Sequence, residues 1–188
     1  MIHVESLLTG LPEPASYAKA IAFDHPEREQ WQEAIDREIT TLEDRNTWER
    51  FPKQNLFIRN SGLSPKDKKR PVRCKFVFKK KLNKDGSLQY KARLVACGYT
   101  QQPGLDFSLD ETYASVCSYS SMRFLMSMAT QKGYIMYQTD ITGAYLEPDL
   151  KVNLKDEIYM DTPRNFHSNG TPPNWCCKIK KGLYGLKQ

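Results

Sequence analysis

Asp140 closes an apolar stretch, residues 134–140, and Gly143-Ala144 follows three positions later. A carboxylate at a strand end beside small residues can hold a divalent cation such as Mg²⁺, while nearby backbone N–H groups approach phosphate oxygens. A turn-capping aspartate fits the same residues. Two-metal phosphoryl transfer needs further carboxylates to clamp both ions. The acids downstream are Glu147, Asp149, Asp156, Glu157 and Asp161, and no two aspartates among them are adjacent. Read locally, this is an incomplete site.

Phosphate chemistry also needs cations, and the chain concentrates them. Residues 66–93 carry 12 Lys and Arg against Asp67 and Asp85, whereas residues 1–50 carry 5 basic and 11 acidic groups. The net charge of +6 therefore divides into an acidic start and a strongly basic middle. That density suits phosphate, on a nucleic acid or on a nucleotide. A bare lysine run reads equally as a solvated loop. Its register argues otherwise. Cys74, Phe76 and Phe78 alternate with Lys75, Val77 and Lys79, a period-two strand. Asn83-Lys84-Asp85-Gly86 is a turn, with Gly86 where a positive φ is needed. Residues 87–96 return with Leu88, Tyr90, Ala92 and Leu94 on one face and Gln89, Lys91, Arg93 and Val95 on the other. Such a hairpin holds its cations in fixed register, with lysines near the tip.

Other elements must position these residues. Residues 1–23 read as an irregular arm with Pro12 and Pro14 and a short helix near 17–22. Asp24 is expected to cap a helix, with Pro26 in the first turn and Glu27 three residues on. Trp31, Ala34, Ile35, Glu38, Ile39 and Leu42 then space a helix over 27–44. His25 reads as a helix-start residue, and Trp31 and Trp48 as packing residues. Residues 52–70, with Asn60-Ser61-Gly62 and Ser64-Pro65, read as loop, as do 101–110 around Pro103-Gly104. A second helix is expected over 122–132, capped by Ser120 or Ser121 and ended by Gly133. Its Met122, Leu125, Met126 and Ala129 are expected to fill the core. Strands are expected at 134–140, 157–160 and 175–179, with a tight turn at 143–146, a polar loop at 163–173, and one of Cys176 and Cys177 in the core. The order helix, hairpin, helix, short strands is an α+β layout.

Composition narrows the class. A length of 188 residues suits one domain, or a domain plus an arm. An aromatic content of 11% is too high for a disordered chain. No apolar run approaches the roughly 18 residues of a membrane span. The start MIHVESLLTGLPEP lacks a basic segment followed by a long apolar core, so no secretory signal is read. Five cysteines without a CxxC pair, beside three histidines, support neither a zinc site nor a disulfide framework. Reduced thiols in an intracellular protein follow.

A series of blocks carries a family resemblance. They are Trp31, Ala34, Glu38 and Leu42 with Asn46-Thr47-Trp48; Cys74-Lys75-Phe76-Val77-Phe78-Lys79; Asp85-Gly86; Lys91-Ala92-Arg93-Leu94-Val95-Ala96; and Gly98-Tyr99-Thr100-Gln101. Glu111-Thr112-Tyr113, Gln138-Thr139-Asp140, Ala144-Tyr145-Leu146, Ile158-Tyr159-Met160 with Pro163, and Leu183-Tyr184-Gly185-Leu186-Lys187-Gln188 follow. In this order they resemble the reverse transcriptase of copia-type LTR retrotransposons, and KARLVA and LYGLKQ are its most specific elements.

The resemblance implies the fingers and part of the palm of a right-hand polymerase, which adds dNTPs to a primer on an RNA or DNA template with two Mg²⁺. It places a fingers hairpin at about 72–97 and the start of the palm at about 118–188, within a reverse transcriptase region over 24–188. Asp140 matches the first metal-binding aspartate, and Ile141 lends its carbonyl. Gly143 and Ala144 match the turn whose N–H groups meet the triphosphate. Tyr145 matches the aromatic residue under the sugar, whose bulk excludes a 2′-OH. Lys80, Lys91 and Arg93 are the candidates for gripping phosphates, and Tyr184 and Gly185 match the nucleotide- and template-side loop. The expected partners are template-primer, dNTP and the remainder of a Pol polyprotein, with no membrane. The expected location is cytoplasmic, in a virus-like particle, or nuclear.

The departures are specific. The family pattern continues past LYGLKQ with a proline, a helix and a hairpin bearing two adjacent aspartates, so residues 1–188 are expected to lack two metal carboxylates and the thumb. Ala114-Ser115-Val116 stands where Ser-Pro-Val is usual, and Glu147-Pro148 where an Asn-Gly or His-Gly type of pair is common. Extra residues lie around 56–66, 108–109 and 151–154. These read as the drift of a degenerate copy. Two other readings stand beside an inactive polymerase fragment: a module that binds nucleic acid without sequence preference, and a marginally folded relic that exposes apolar faces such as 122–129.

Overall fold

The computed structural model describes residues 11–108, 116–139, 143–146, 150, 157–164 and 174–187. Ser16 accepts the Lys19 N–H at 3.4 Å and opens a short helix, α1 (Tyr17–Ala20). Helix α2 (Arg28–Asp44) turns Trp31, Ala34, Ile35, Ile39 and Leu42 inward. Its N-cap is Glu27, not Asp24, and no side chain caps it. His25 does serve the helix start, its Nδ1 accepting the Glu27 N–H at 3.1 Å.

The expected loop 52–70 is a correction. Trp48–Pro52 is a strand, β1, and Lys53–Arg59 a helix, α3, with Leu56 buried. The strand β1 exists because β5 (Trp175–Ile179) pairs with it antiparallel, Trp48 opposite Ile179 and Arg50 opposite Cys177. A partner more than a hundred residues away leaves no local signature. β5 also pairs with β4 (Tyr159–Asp161), giving the sheet order β1-β5-β4.

The hairpin forms as its alternation requires. β2 (Cys74–Leu82) pairs with β3 (Leu88–Ala96), and Gly86 takes φ +83° in the connecting turn. A two-stranded hairpin is marginal alone. Here α2 lies across its inward face, and Trp31 meets Phe78 and Tyr90 edge-on at 5.3 and 4.8 Å. Val72 joins the two sheets, donating to the Tyr159 carbonyl at 2.7 Å and accepting from Asp161 at 2.9 Å. The core gathers Trp31, Ile35, Leu42, Phe76, Leu94, Met160, Cys177 and Ile179. Both Cys176 and Cys177 are buried, and all five cysteines are free. Burial pushes the Cys74 thiol up to about 12 and the Cys176 thiol up to about 11, so neither is a ready nucleophile.

Glu157 knots this layer together. Its carboxylate accepts from Arg59, from the Tyr159 hydroxyl at 2.6 Å and from Lys178 at 2.8 Å, while Lys69 donates to its carbonyl at 2.7 Å. Burial pushes this carboxyl up, but the bonds from Lys178 and Tyr159 and the charges of Lys178 and Arg59 outweigh it and leave it below its ordinary range.

The second helix, α4 (Tyr119–Lys132), is capped by Ser118 rather than Ser120 or Ser121, and ends at Gly133. Its apolar face is not core. Phe124 is 68% exposed, Met122, Leu125 and Met126 are exposed too, and Ala129 is its buried residue. Residues 134–139 carry no strand, and Tyr137 is 87% exposed; Asp140, the end of that expected strand, lies outside the described residues. Among the described residues no helix is long and apolar enough to cross a membrane.

One contact predicts a pH effect. The Leu94 N–H, on the free edge of β3, donates to Glu38 Oε1 at 2.9 Å. Leu94 is fully buried, so Glu38→Ala strands that donor, at a cost of about 1–2 kcal/mol in urea denaturation. Glu38→Gln keeps an acceptor. Burial raises the Glu38 carboxyl above its ordinary 4.5, against the Leu94 bond and Lys91 and Arg93. The folded state then holds the proton more tightly than the unfolded one. Wild type loses stability as pH rises from 4.5 through the raised value, and the Gln variant does not. Parallel pH curves for the two proteins count against this.

Candidate nucleotide-binding site

The hairpin sorts its side chains by parity. Phe76, Phe78 and Lys80 of β2 point inward with Ala92, Leu94 and Ala96 of β3. Lys75, Val77, Lys79 and Lys81 point outward, beside Gln89, Lys91, Arg93 and Val95. Lys80 is thus a correction to the phosphate-gripping set. It is 1% exposed, its Nζ lies 2.7 Å from Glu27 Oε1, and it also donates to the Leu11 carbonyl at 3.2 Å. A cation spent on a buried carboxylate is not presented to an incoming phosphate.

Lys79 takes the outward position that Lys80 lacks, directly opposite Lys91. Like charges facing across a ladder repel. The arm relieves this pair, because Glu13 Oε2 lies 2.8 Å from Lys79 Nζ and Glu13 Oε1 accepts the Lys80 N–H at 3.1 Å. Lys91 is half-buried and Arg93 exposed on this cationic face.

Arg93 meets the expected loop residues. Its guanidinium lies over the Tyr184 ring, 5.4 Å from the centroid. The Tyr184 carbonyl accepts the Ala96 N–H at 2.7 Å, and the Gly185 carbonyl accepts the Gly98 N–H at 3.1 Å. Gln101 Oε1 accepts the Lys187 N–H at 2.9 Å. Gly98 and Gly185 are glycines for contact: a Cβ on Gly98 would sit 2.0 Å from the Gly185 oxygen. Three blocks of the motif series, 91–96, 98–101 and 183–187 of the last, are therefore one place in space.

The second group is the turn at 143–146. Gly143 has φ +72°, and the Leu146 N–H closes the turn on its carbonyl at 2.8 Å. Leu146 is buried, Ala144 exposed, and Ala144–Leu146 forms a 3₁₀ turn. After β5, the Lys180 and Lys181 backbone N–H groups donate to the Thr47 carbonyl at 2.8 and 3.2 Å. Asp140 and Ile141, and the Tyr145 side chain, lie outside the described residues. A carboxylate and a carbonyl are the hard oxygen donors that Mg²⁺ takes, so these two residues fit that ion in kind. Among the described residues no three His, Cys, Asp or Glu side chains gather to hold a metal.

Sequence reasoning missed Lys79, Glu13, Gln101 and Arg45, whose Nη1 donates to the Gly143 carbonyl at 3.3 Å. Parity alone would have found Lys79. Gln101 lay inside a quoted block. Glu13 and Arg45 act through distant partners and gave no local signal.

These motif blocks mark a family, and the comparison is direct: the reverse transcriptase (RNA-dependent DNA polymerase) family matches residues 62–188, and the chain belongs to it. It is 37% identical over 161 residues, 85% of the chain, to the Retrovirus-related Pol polyprotein from transposon RE1 of Arabidopsis thaliana, of which it covers 10%. It is 34% identical over 182 residues, 92% of the chain, to the one from transposon RE2 of the same plant, covering 11% of it. It is 36% identical over 179 residues, 94% of the chain, to the one from transposon TNT 1-94 of Nicotiana tabacum, covering 12% of it. The chain thus spans about a tenth of the length of the curated relatives it matches. No solved structure matches it.

Proposed function

We propose that this chain is the fingers and first palm segment of a right-hand polymerase, and that in its complete protein it adds dNTPs to a primer on an RNA or DNA template. The observation that carries this is the stacking of Arg93 on Tyr184, which brings a hairpin cation to the Tyr184-Gly185 loop. Bound Mg²⁺, held by Asp140 and the Ile141 carbonyl, would supply charge neutralisation at the triphosphate. The chain's own residues bind and orient. Arg93 and Lys91 offer fixed cations to phosphate oxygens, and the Gly143-Ala144 turn offers N–H groups to the same anion. The remainder of a Pol polyprotein and the nucleic acid are the partners of this reading, in the cytoplasm or nucleus.

Residues 1–188 offer one metal aspartate, so the chain prepared at this length is inactive in this reading. Primer extension with Mg²⁺ or Mn²⁺ should show no incorporation, and robust incorporation overturns it. Binding should survive in weak form, because the outward cationic face needs no metal. With a labelled single-stranded DNA, Arg93→Ala together with Lys91→Ala should lower the slope of log K against log salt by about 1–2. An unchanged slope removes the hairpin from the interface.

A further inference from the structure

We propose that Arg45 is a positioning residue for the turn at 143–146: it fixes the direction in which the Ala144 N–H points. This rests on the reading that the turn faces a nucleotide phosphate. Arg45 is the C-cap of α2, its own N–H satisfied by Thr41 at 3.2 Å. The next residue, Asn46, is the one non-glycine with positive φ among the described residues, so the chain reverses sharply there and the Arg45 side chain leaves the helix end. It reaches a residue 98 positions away, where Nη1 donates to the Gly143 carbonyl at 3.3 Å. The guanidinium also lies against the glycine itself. A Cβ on Gly143 would meet Nη1 at 2.7 Å, Cζ at 3.0 Å and Nη2 at 3.1 Å. Three near-equal distances mean that the planar group covers the face a side chain would occupy.

The consequence follows from peptide geometry. The Gly143 C=O and the Ala144 N–H belong to one planar trans unit and point in opposite directions. The Gly143 oxygen accepts from Arg45 on one side and from Leu146 N–H on the other, at 2.8 Å. Leu146 is anchored in the core, so the carbonyl is held between a buried residue and a helix end. Pinning the oxygen aims the Ala144 N–H the other way. The cation on the oxygen also polarises the peptide and strengthens that N–H as a donor. Gly143 is a glycine here for its φ of +72°, and a methyl there would push the guanidinium off its face.

Amide exchange read by NMR tests the link without nucleotide. In Arg45→Ala the Leu146 amide should exchange roughly tenfold faster, the loss of one charged hydrogen bond, while α2 amides change little. Arg45→Lys, which restores a donor but not the flat cover, should fall between. Gly143→Ala should loosen the turn more in wild type than in Arg45→Ala, because the added methyl displaces the guanidinium from the Gly143 carbonyl. Unchanged exchange in Arg45→Ala, or equal effects of Gly143→Ala in both backgrounds, overturns the proposal. Titration with dTTP then separates the two readings. Wild type should shift the Ala144 amide, and Arg45→Ala should weaken dTTP binding roughly tenfold, partly recovered by Lys. Equal dTTP affinity in wild type and Arg45→Ala also overturns it. If wild type shows no dTTP shift, the nucleotide reading of the turn falls, and the exchange and coupling results decide the role of Arg45.

Discussion

Lys80→Met is expected to destabilise the chain by about 3–5 kcal/mol, the cost of leaving a buried charge without its partner. Methionine keeps most of the lysine's length and volume, so the loss is electrostatic and not a cavity effect. Glu27 is buried, its Oε1 shared between Lys80 Nζ at 2.7 Å and the Tyr90 hydroxyl at 2.9 Å. Its other oxygen, Oε2, has no hydrogen-bond partner among the described residues. Burial and the Glu27 charge push the Tyr90 phenol up to about 12, so it remains a donor and cannot replace the ammonium. Around the pair lie Trp31 and Phe78, which offer nothing polar but an indole N–H that has no hydrogen-bond partner among the described residues. Without Lys80 the buried carboxylate is left uncompensated and must drag water inward. The double variant Lys80→Met with Glu27→Gln should recover most of the loss, since it removes both charges. Urea denaturation decides it: Lys80→Met within about 1 kcal/mol of wild type would mean the pair is not buried in solution.

Lys80 also shows how much was legible in advance. The alternation of Phe76 and Phe78 with Lys75, Val77 and Lys79 marked the hairpin and its turn, and both stand in the structure. The same alternation assigns Lys80 to the Phe78 face. Nearness to the tip points the other way, and parity wins because a pleated strand has only two faces. Helix α2 was readable from its apolar spacing, its cap was not: Glu27 is held by tertiary contact with Lys80 and not by a local box. The strand β1 and the face of α4 were misread for one reason. Their burial depends on what lies opposite, and spacing within a segment cannot say that. In the site, the motif blocks pointed to Arg93, Tyr184 and Gly185, each carried by a short sequence signature, and the structure brings the three together. Arg45 carries none; its role comes from where a helix happens to end.

Gly185→Ala should detach the segment Tyr184–Lys187 from the hairpin while the core, Leu183 included, stays folded. Gly185 has φ +87°, and a Cβ there would lie 2.2 Å from the Ala96 oxygen and 2.6 Å from Val95 Cγ1. The left-handed backbone costs an L residue about 1 kcal/mol. The overlap adds about 1–3 kcal/mol, because the Ala96 carbonyl is fixed in β3 and cannot yield as a long side chain would. Either the strand moves or the segment lifts. The strand is held by its ladder to β2 and by the Glu38 bond to Leu94. The segment is held by its bonds to Ala96, Gly98 and Gln101, by Arg93 on Tyr184 and by the buried Leu183. With Leu183 left in the core as the hinge, lifting Tyr184–Lys187 breaks three net hydrogen bonds and one cation–π contact, about 3–4 kcal/mol, comparable to the strain, so lifting is the cheaper response. The Ala96 and Gly98 amides should therefore exchange faster by roughly a hundredfold, two decades for about 3 kcal/mol, with the far-ultraviolet spectrum unchanged. Gly98→Ala should do the same from the opposite side, since its Cβ would lie 2.0 Å from the Gly185 oxygen. Once either alanine has lifted the segment the second has little left to disturb, so the double variant should show much less than the sum. Unaltered exchange at Ala96 and Gly98 in Gly185→Ala would mean that the segment does not rest on the hairpin, and Arg93 would then lose its partner in the proposed nucleotide site.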